Sequence, residues 1–246
     1  MATFAVILLA AGKSSRFHDK NYKKPFAPLE DRAVWLHSAE RFLNRNDVKQ
    51  TIVVIAPEDR EEFFSRFGAN VAILGIEVVD GGAERTASVA LALARVKPTV
   101  EYVAVHDVAR PCLANEWIDA VFAAAEKTGA AILATPVVST LKRVGSDRVI
   151  QGTVSRVDLW EAQTPQVFRR ELLLQAHAQA GANTATDDAE LVQRLGHSVT
   201  VVPCSPINMK ITTREDLRFA AYALKALPKP KLTGPAHPFA DEQLWR

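Results

Sequence analysis

The chain has no marked excess of charge of either sign. Its 246 residues include 30 lysines and arginines and 28 aspartates and glutamates, which gives a formal net charge of +2. Proteins that bind nucleic acid mainly through electrostatics carry a strong basic surplus, so this balance argues against that class. We therefore expect no nucleic-acid partner.

Cysteine is scarce, and the N-terminal apolar run is short. Cys112 and Cys204 lie far apart, which fits a reducing cytoplasm better than a disulfide-stabilised fold. Met1-Ala2-Thr3 has no basic segment of the secretory type, and the apolar run that follows is too short to span a bilayer. These absences predict a cytoplasmic protein that does not associate with membranes. The 48% of hydrophobic residues is enough for a full globular core.

Glycine is missing where the best-known phosphate loops require it. Residues 4–9 show no polar alternation, which predicts a strand that is covered on both faces, as in a parallel sheet. The loop that follows has one glycine, Gly12, so the three spaced glycines of a dinucleotide site are absent. Gly12-Lys13-Ser14 resembles the end of a P-loop, but Ile7 stands where that motif has its first glycine.

Small residues and cations are what this loop does contain. Ala10, Ala11 and Gly12 would let backbone N–H groups approach phosphate oxygens closely. Arg16 and Lys24 could add positive charge where a leaving pyrophosphate develops negative charge. The segment therefore predicts a nucleoside triphosphate site, and the alternative is an ordinary strand-to-helix turn with solvated cations.

Strands and helices alternate along most of the chain. The predicted elements are strands over 4–9, 52–55, 76–79, 102–105 and 131–134, with helices over 58–67, 84–95 and 115–127. This alternation predicts an α/β fold with a Rossmann-like, doubly wound and mostly parallel sheet. Ligands bind beyond the carboxyl ends of such strands, so loop 10–16, Gly81-Gly82 and His106-Asp107 should meet at one edge.

Residues 137–156 break the alternation. Two β-type runs, 137–144 and 148–154, flank the turn Gly145-Ser146-Asp147 and predict a β-hairpin arm. A projecting arm would expose its edges, so we expect it to pair with a second subunit in a homodimer. The alternative is a hairpin that folds onto its own domain.

The remainder of the chain completes one domain, predicted over residues 1–227. Its predicted elements are helices over 169–180, 187–195 and 214–226 and strands over 199–202 and 209–212. The tail at 228–246 contains four prolines and no periodicity, so we expect it to be disordered or to lie across the surface.

Several segments, taken in order over residues 3–225, resemble the bacterial 2-C-methyl-D-erythritol 4-phosphate cytidylyltransferases. They are 9–12 with Arg16, 24–26, 79–89, 106–111, 135–137 with Thr140 and Lys142, 160–166, 186–188 and 208–212. The double-glycine segment at 79–89 and the His-Asp-x-Ala-Arg-Pro segment at 106–111 are specific to this family. The resemblance implies a fold of the nucleotidyltransferase type.

The resemblance also implies an activity. A cytidylyl group would pass from CTP to 2-C-methyl-D-erythritol 4-phosphate, releasing pyrophosphate, in the non-mevalonate route to isoprenoids. Mg²⁺ would bridge the phosphates with help from Asp107. Because such a reaction needs positioning and charge neutralisation, no covalent nucleophile is expected.

Matched positions imply residue roles. The predicted catalytic residues are Arg16, Lys24, Arg156 and Lys210. The predicted CTP-binding residues are Ala10, Ala11, Gly12, Ser15, Gly81, Gly82, Arg85, Ser88 and Asp107. The predicted acceptor-binding residues are Asp107, Arg110, Thr140, Arg156, Thr164, Thr186 and Lys210. His106 is expected to form structural hydrogen bonds and not to act as an acid or base.

Some positions depart from the family pattern. Pro25 stands where a glutamine is common, and Ser139, Ser155 and Ile207 replace acidic residues near acceptor-binding positions. A ribitol 5-phosphate or other sugar-phosphate cytidylyltransferase is therefore the alternative within the same chemistry. A non-catalytic nucleotide-binding regulator is the alternative from another class, against which the presence of both Arg16 and Lys24 argues. The missing glycine fingerprint argues against a Rossmann-type oxidoreductase.

Overall fold

A computed structural model describes residues 1–12, 16–17, 19, 22–180 and 185–228. The strands of the described residues are β1 Phe4–Leu9, β2 Pro28–Leu29, β3 Arg32–Ala33, β4 Val48–Ile55, β5 Glu77–Asp80, β6 Tyr102–Asp107, β7 Ala130–Pro136, β8 Leu141–Val144, β9 Ile150–Val154, β10 Trp160–Arg169 and β11 Thr200–Pro203. The α-helices are α1 Val34–Leu43, α2 Arg60–Leu74, α3 Arg85–Leu93, α4 Asn115–Thr128, α5 Arg170–Ala180, α6 Asp188–Arg194 and α7 Arg214–Lys225, and short 3-10 helices span Lys24–Phe26 and Pro57–Asp59.

A seven-stranded sheet forms the centre of the molecule, in the order β11-β7-β10-β6-β1-β4-β5. All neighbouring strands run parallel except β10, which is antiparallel to both β6 and β7. The mostly parallel, doubly wound sheet is confirmed. The predicted strand and helix cores up to residue 136 are present, and most extend a few residues further than their apolar cores.

Hydrophobic clusters cover both faces of this sheet. Phe4, Val6 and Leu8 of β1 point into the cluster that holds the apolar faces of α1, α2 and α4. Ala5 and Ile7 point into the opposite cluster, with apolar residues of α3, α5 and α6. This two-sided burial is the physical reason why β1 shows no polar alternation.

The predicted strand at 209–212 is wrong. The segment is a loop, in which the Ile211 N–H donates to the Ala109 carbonyl at 2.8 Å instead of joining a strand ladder. Ile211 is fully buried in a third apolar cluster together with Ala220 of α7. Its apolar character therefore reflects packing against a helix and not a place in the sheet.

The hairpin arm is present. β8 and β9 pair antiparallel as a separate two-stranded sheet. Val144, Val149 and Ile150 are each about half exposed or more, with 48%, 59% and 59% of their surface accessible. An arm folded onto its own domain would cover such side chains, so these exposures favour a projecting hairpin.

The helices and the C-terminal tail bear on two remaining predictions. In the described ranges, the helices are all too short or too polar to cross a membrane. Most of the predicted tail, residues 229–246, lies outside the described residues.

Candidate active site

A cleft of about 340 Å³ opens at the carboxyl ends of β1, β5 and β6. Its lining includes many of the predicted CTP-binding and catalytic residues, namely Ala10, Ala11, Gly12, Gly82, Arg85, Ser88, Asp107, Lys24 and Lys210. Residues from five separate parts of the chain therefore meet at the sheet edge where a parallel sheet holds its ligand.

The glycine pair after β5 is required by close packing. A Cβ at Gly81 would lie 2.7 Å from Ala11 Cβ and 2.9 Å from Ser88 Oγ, and one at Gly82 would lie 2.6 Å from Ala87 Cβ. The Gly82 N–H donates to Ser88 Oγ at 3.1 Å. The pair thus brings the β5 end against the loop after β1 and against α3. By contrast, a Cβ at Gly12 would meet nothing within 4 Å.

Lys24 begins the short 3-10 helix Lys24–Phe26 and lines the cleft. Burial lowers the pKa of its ammonium, and the neighbouring cations of Lys210 and Arg16 lower it further. The carboxylates of Asp107 and Asp216 oppose this lowering but do not outweigh it. Arg16 itself is exposed, so its side chain is free of the packing that fixes Lys24.

Asp107 ends β6 and faces Lys210 across the cleft. Lys210 Nζ donates to Asp107 Oδ2 at 2.5 Å, and Arg85 Nε lies 3.8 Å from Oδ1. Burial alone would raise the pKa of Asp107, but the cations of Lys210 and Arg85 outweigh it and lower the pKa to about 2. The carboxylate is therefore ionised at any physiological pH.

Thr164 and His106 lie behind Asp107. The Asp107 N–H donates to Thr164 Oγ1 at 3.0 Å, and Thr164 Oγ1 is 3.1 Å from His106 Nδ1. The other ring nitrogen of His106 is 3.2 Å from the Arg110 carbonyl. Burial lowers the pKa of His106 to about 4, so the ring is neutral and both its nitrogens are engaged. These contacts agree with the structural role expected for His106.

Arg110 joins the loop after β6 to the loop that carries Lys210. Its Nη1 donates to the Asn208 carbonyl at 2.8 Å. Asn208 is buried, and its amide donates to Gln163 Oε1 and the Thr164 carbonyl at 2.9 and 3.0 Å. These contacts hold the backbone two residues before Lys210, and the bond from the Ile211 N–H to the Ala109 carbonyl holds the residue after it. Sequence reasoning misses Gln163 and Asn208 as site residues, although both belong to the segments that resemble the family.

A buried ion network lies on the far side of Arg85. Arg85 Nη1 donates to Asp188 Oδ2 at 2.7 Å, and His177 Nε2 lies 2.9 Å from Asp188 Oδ1. Gln166 Oε1 accepts the backbone N–H groups of Asp188 and Ala189 at 3.1 and 3.2 Å. Sequence reasoning missed this network, because its partners lie about 80 to 100 positions from Arg85 in the chain.

The family model of 2-C-methyl-D-erythritol 4-phosphate cytidylyltransferase matches residues 4–226. The chain belongs to this family. The enzyme of that name from Rhodopirellula baltica is 41% identical over 230 residues, covering 89% of this chain and 93% of the relative. The bifunctional enzyme IspD/IspF of Desulfotalea psychrophila is 36% identical over 94% of this chain and 59% of its own length. The crystal structure of the Thermus thermophilus enzyme superposes with a TM-score of 0.73 at 32% identity, covering 89% of this chain and 98% of that one. This chain is therefore a nucleotidyltransferase with the CTP-dependent chemistry of isoprenoid biosynthesis.

Not every predicted residue of this cytidylyltransferase lies in the cleft. Arg156 and Thr140 are exposed at the hairpin arm, where Arg156 Nη1 donates to the Val138 carbonyl. Thr186 is exposed and donates to Glu190 Oε2 at 3.1 Å. Ser15 lies outside the described residues. The acceptor-binding roles of these residues stay predictions.

The cysteines of the cytidylyltransferase are structural. Cys112 is fully buried, and its thiol donates to the Ala220 carbonyl at 3.5 Å. Burial raises the pKa of Cys112 to about 12 and that of Cys204 to about 11. Neither thiol is a nucleophile at neutral pH.

Proposed function

We propose that this cleft transfers a cytidylyl group from CTP to 2-C-methyl-D-erythritol 4-phosphate. The products would be 4-diphosphocytidyl-2-C-methyl-D-erythritol and pyrophosphate. The observation that carries the proposal is the meeting of Lys24, Asp107 and Lys210 with the small-residue loop at 10–12 in one cleft. Lys24 and Lys210 place two ammonium groups in this cleft, which suits a polyphosphate better than an uncharged ligand.

The reaction requires little acid–base chemistry from the protein. An acceptor phosphate oxygen is ionised at neutral pH and would attack the α-phosphorus of CTP in line, expelling pyrophosphate. The neutral, fully hydrogen-bonded His106 is consistent with a reaction that needs no general base. The chain would act by orientation and by charge stabilisation.

Lys24 and Arg16 would stabilise the charge that develops on the leaving pyrophosphate. Lys24 is held in a partly buried position, where a lowered local dielectric strengthens its interaction with phosphate oxygens. Lys210 would hold the acceptor phosphate close to the α-phosphorus. Its bond to Asp107 keeps the ammonium at the cleft in the absence of substrate.

Asp107 is suited to a Mg²⁺ ion that arrives with CTP. Within the described ranges, no group of three or more histidine, cysteine, aspartate or glutamate side chains could hold a metal. Mg²⁺ is commonly bound by one or two carboxylates together with substrate phosphates and water, so one ionised aspartate fits. When bound, the ion would be held on the protein side by Asp107 and would supply positive charge to the phosphates of CTP.

The hairpin arm supports the proposal of a homodimer. Arg156 and Thr140 lie away from the cleft of their own subunit, on an arm with exposed valine and isoleucine side chains. If the arm of one subunit reaches the cleft of its partner, these residues would complete the acceptor site there. Apolar pairing of two arms would also cover the exposed side chains.

The activity is tested by mixing the protein with CTP, Mg²⁺ and one acceptor and measuring pyrophosphate release. We expect release with 2-C-methyl-D-erythritol 4-phosphate. Release with ribitol 5-phosphate alone would transfer the proposal to that acceptor, and no release with either would contradict cytidylyl transfer.

The shared site is tested by coexpressing two variants that are each inactive alone, Lys24→Ala and Arg156→Ala. If the arm of each subunit completes its partner's site, a dimer of one subunit of each variant has one intact site of two. Random pairing makes about half of the dimers mixed, so about a quarter of the normal activity should return. Light scattering measures the mass of the same sample. A monomeric mass, or a dimer without recovery, would contradict the arm-crossing proposal.

A further inference from the structure

The segment that carries Lys24 is docked on helix α2. The Phe26 ring packs against Phe63 and Phe67 of α2, with centroid separations of 5.7 and 5.8 Å. Phe26 and Phe63 are almost fully buried. Pro25 at the start of the 3-10 helix adds a fixed backbone angle. The C-terminal end of the segment is therefore rigidly attached to α2.

Arg66 of α2 contacts both ends of the same segment. Its guanidinium carbon lies 5.0 Å from the centroid of the Tyr22 ring, and Nη2 donates to the Phe26 carbonyl at 3.4 Å. Glu62, one turn earlier, accepts from Arg66 Nη1 at 2.9 Å and orients the guanidinium. One side chain thus spans residues 22 to 26.

Asp59 provides the third attachment. It lies just before α2, is 5% exposed, and pairs with Lys23 Nζ. Lys23 and Lys24 are neighbours in the chain, but the first is paired with Asp59 and the second lines the cleft. The ion pair of Asp59 with Lys23 therefore directs Lys23 away from the cleft and leaves Lys24 as the lysine that faces the ligand.

We infer that Asp59 and Arg66 are positioning residues for the transfer reaction, because they hold the 22–26 segment so that Lys24 faces the cleft. This inference rests on the proposed catalytic role of Lys24. Neither residue lines the cleft, so neither is expected to contact CTP. A displacement of about 1 Å at a catalytic group can cost about a hundredfold in rate.

The test compares Asp59→Asn and Arg66→Met with a control on the same helix, Glu61→Gln, which changes an exposed carboxylate. Steady-state pyrophosphate release gives kcat and the KM for CTP, and thermal unfolding checks the fold. We expect kcat to fall about tenfold for each positioning variant, with the KM for CTP within about twofold. The control should match the wild type, and Arg66→Lys, which keeps a cation near Tyr22 but loses the forked guanidinium that also reaches Phe26, should recover only part of the loss.

Combination with Lys24→Ala separates positioning from general damage. If Asp59 acts through Lys24, adding Asp59→Asn to Lys24→Ala should not reduce kcat further. A full additional tenfold loss in the double variant would overturn the inference, as would a normal kcat in both single variants. A wild type that releases no pyrophosphate, or a Lys24→Ala variant with normal turnover, would instead contradict the proposed function.

Discussion

Replacement of Asp188 by asparagine should weaken the fold while preserving the size of the side chain. The Asp188 carboxylate is fully buried and neutralises Arg85 at 2.7 Å. Loss of one partner from a buried ion pair costs about 3–5 kcal/mol. Because 26% of the Arg85 side chain is exposed and an amide oxygen can still accept a hydrogen bond, we expect a loss of about 2–3 kcal/mol in the free energy of unfolding.

The effect should depend on pH in a defined direction. Burial would raise the pKa of Asp188, but Arg85 and the hydrogen bond from His177 outweigh it and lower the pKa below its ordinary value of 3.8. A carboxylate with a lowered pKa in the folded state stabilises the protein above its unfolded pKa, and that stabilisation is lost as the pH falls through the folded pKa. The wild type and Asp188→Asn should therefore differ fully at pH 7 and progressively less below pH 3.8.

Urea unfolding followed by tryptophan fluorescence at pH 7 and at pH 3 measures this difference. Asp119→Asn serves as the control, because it removes a 62% exposed carboxylate that pairs with Arg45 at the surface and should cost less than about 1 kcal/mol. If Asp188→Asn matches this control at pH 7, the ion pair does not stabilise the fold. A difference from the wild type that is equally large at pH 3 would mean that packing, and not charge, explains the loss.

Three further predictions concern the cleft and the thiols. Lys24→Ala should lower kcat by about a hundredfold or more with little change in CTP affinity by calorimetry, because its charge acts mainly in the transition state; equal losses in both would assign it to ground-state binding. Gly81→Ala should cost about 1–3 kcal/mol in unfolding free energy, since its Cβ would lie 2.7 Å from Ala11 Cβ. Gly12→Ala should instead leave the unfolding free energy within about 0.5 kcal/mol and weaken the affinity for CTP about tenfold. A destabilised Gly12→Ala would show that packing within the chain selects that glycine. Iodoacetamide at pH 7.5 should label half-buried Cys204 slowly and buried Cys112 only after unfolding, and mass spectrometry that finds Cys112 modified first would contradict its assignment as inert.

The sheet and the cleft edge were predictable because their signals are local. Continuous apolar runs mark β1, β4, β6 and β7, and small or charged residues follow the ends of these strands. Parallel topology then places those ends together without any knowledge of distant contacts.

The features that sequence reasoning missed depend on distant contacts. β10 was not predicted as a strand, because Gln163-Thr164-Pro165 interrupts its pattern and its register with β7 shifts at that point. Asp188 and His177 resemble ordinary helix residues until the fold brings them to Arg85. The loop at 209–212 has the alternation of a strand, but its buried Ile211 packs against α7 and not against the sheet.

Strand β10 also constrains the order in which the molecule can fold. It lies between β6 and β7 in the sheet, yet it follows both in the chain. A nascent chain that ends before residue 160 can pair β6, β1, β4 and β5. In that chain β7 lacks β10, the strand that joins it to β6 in the complete sheet. Thr164 on β10 also supports the backbone of Asp107. One late strand therefore both joins the two parts of the sheet and supplies a hydrogen bond to the backbone of Asp107.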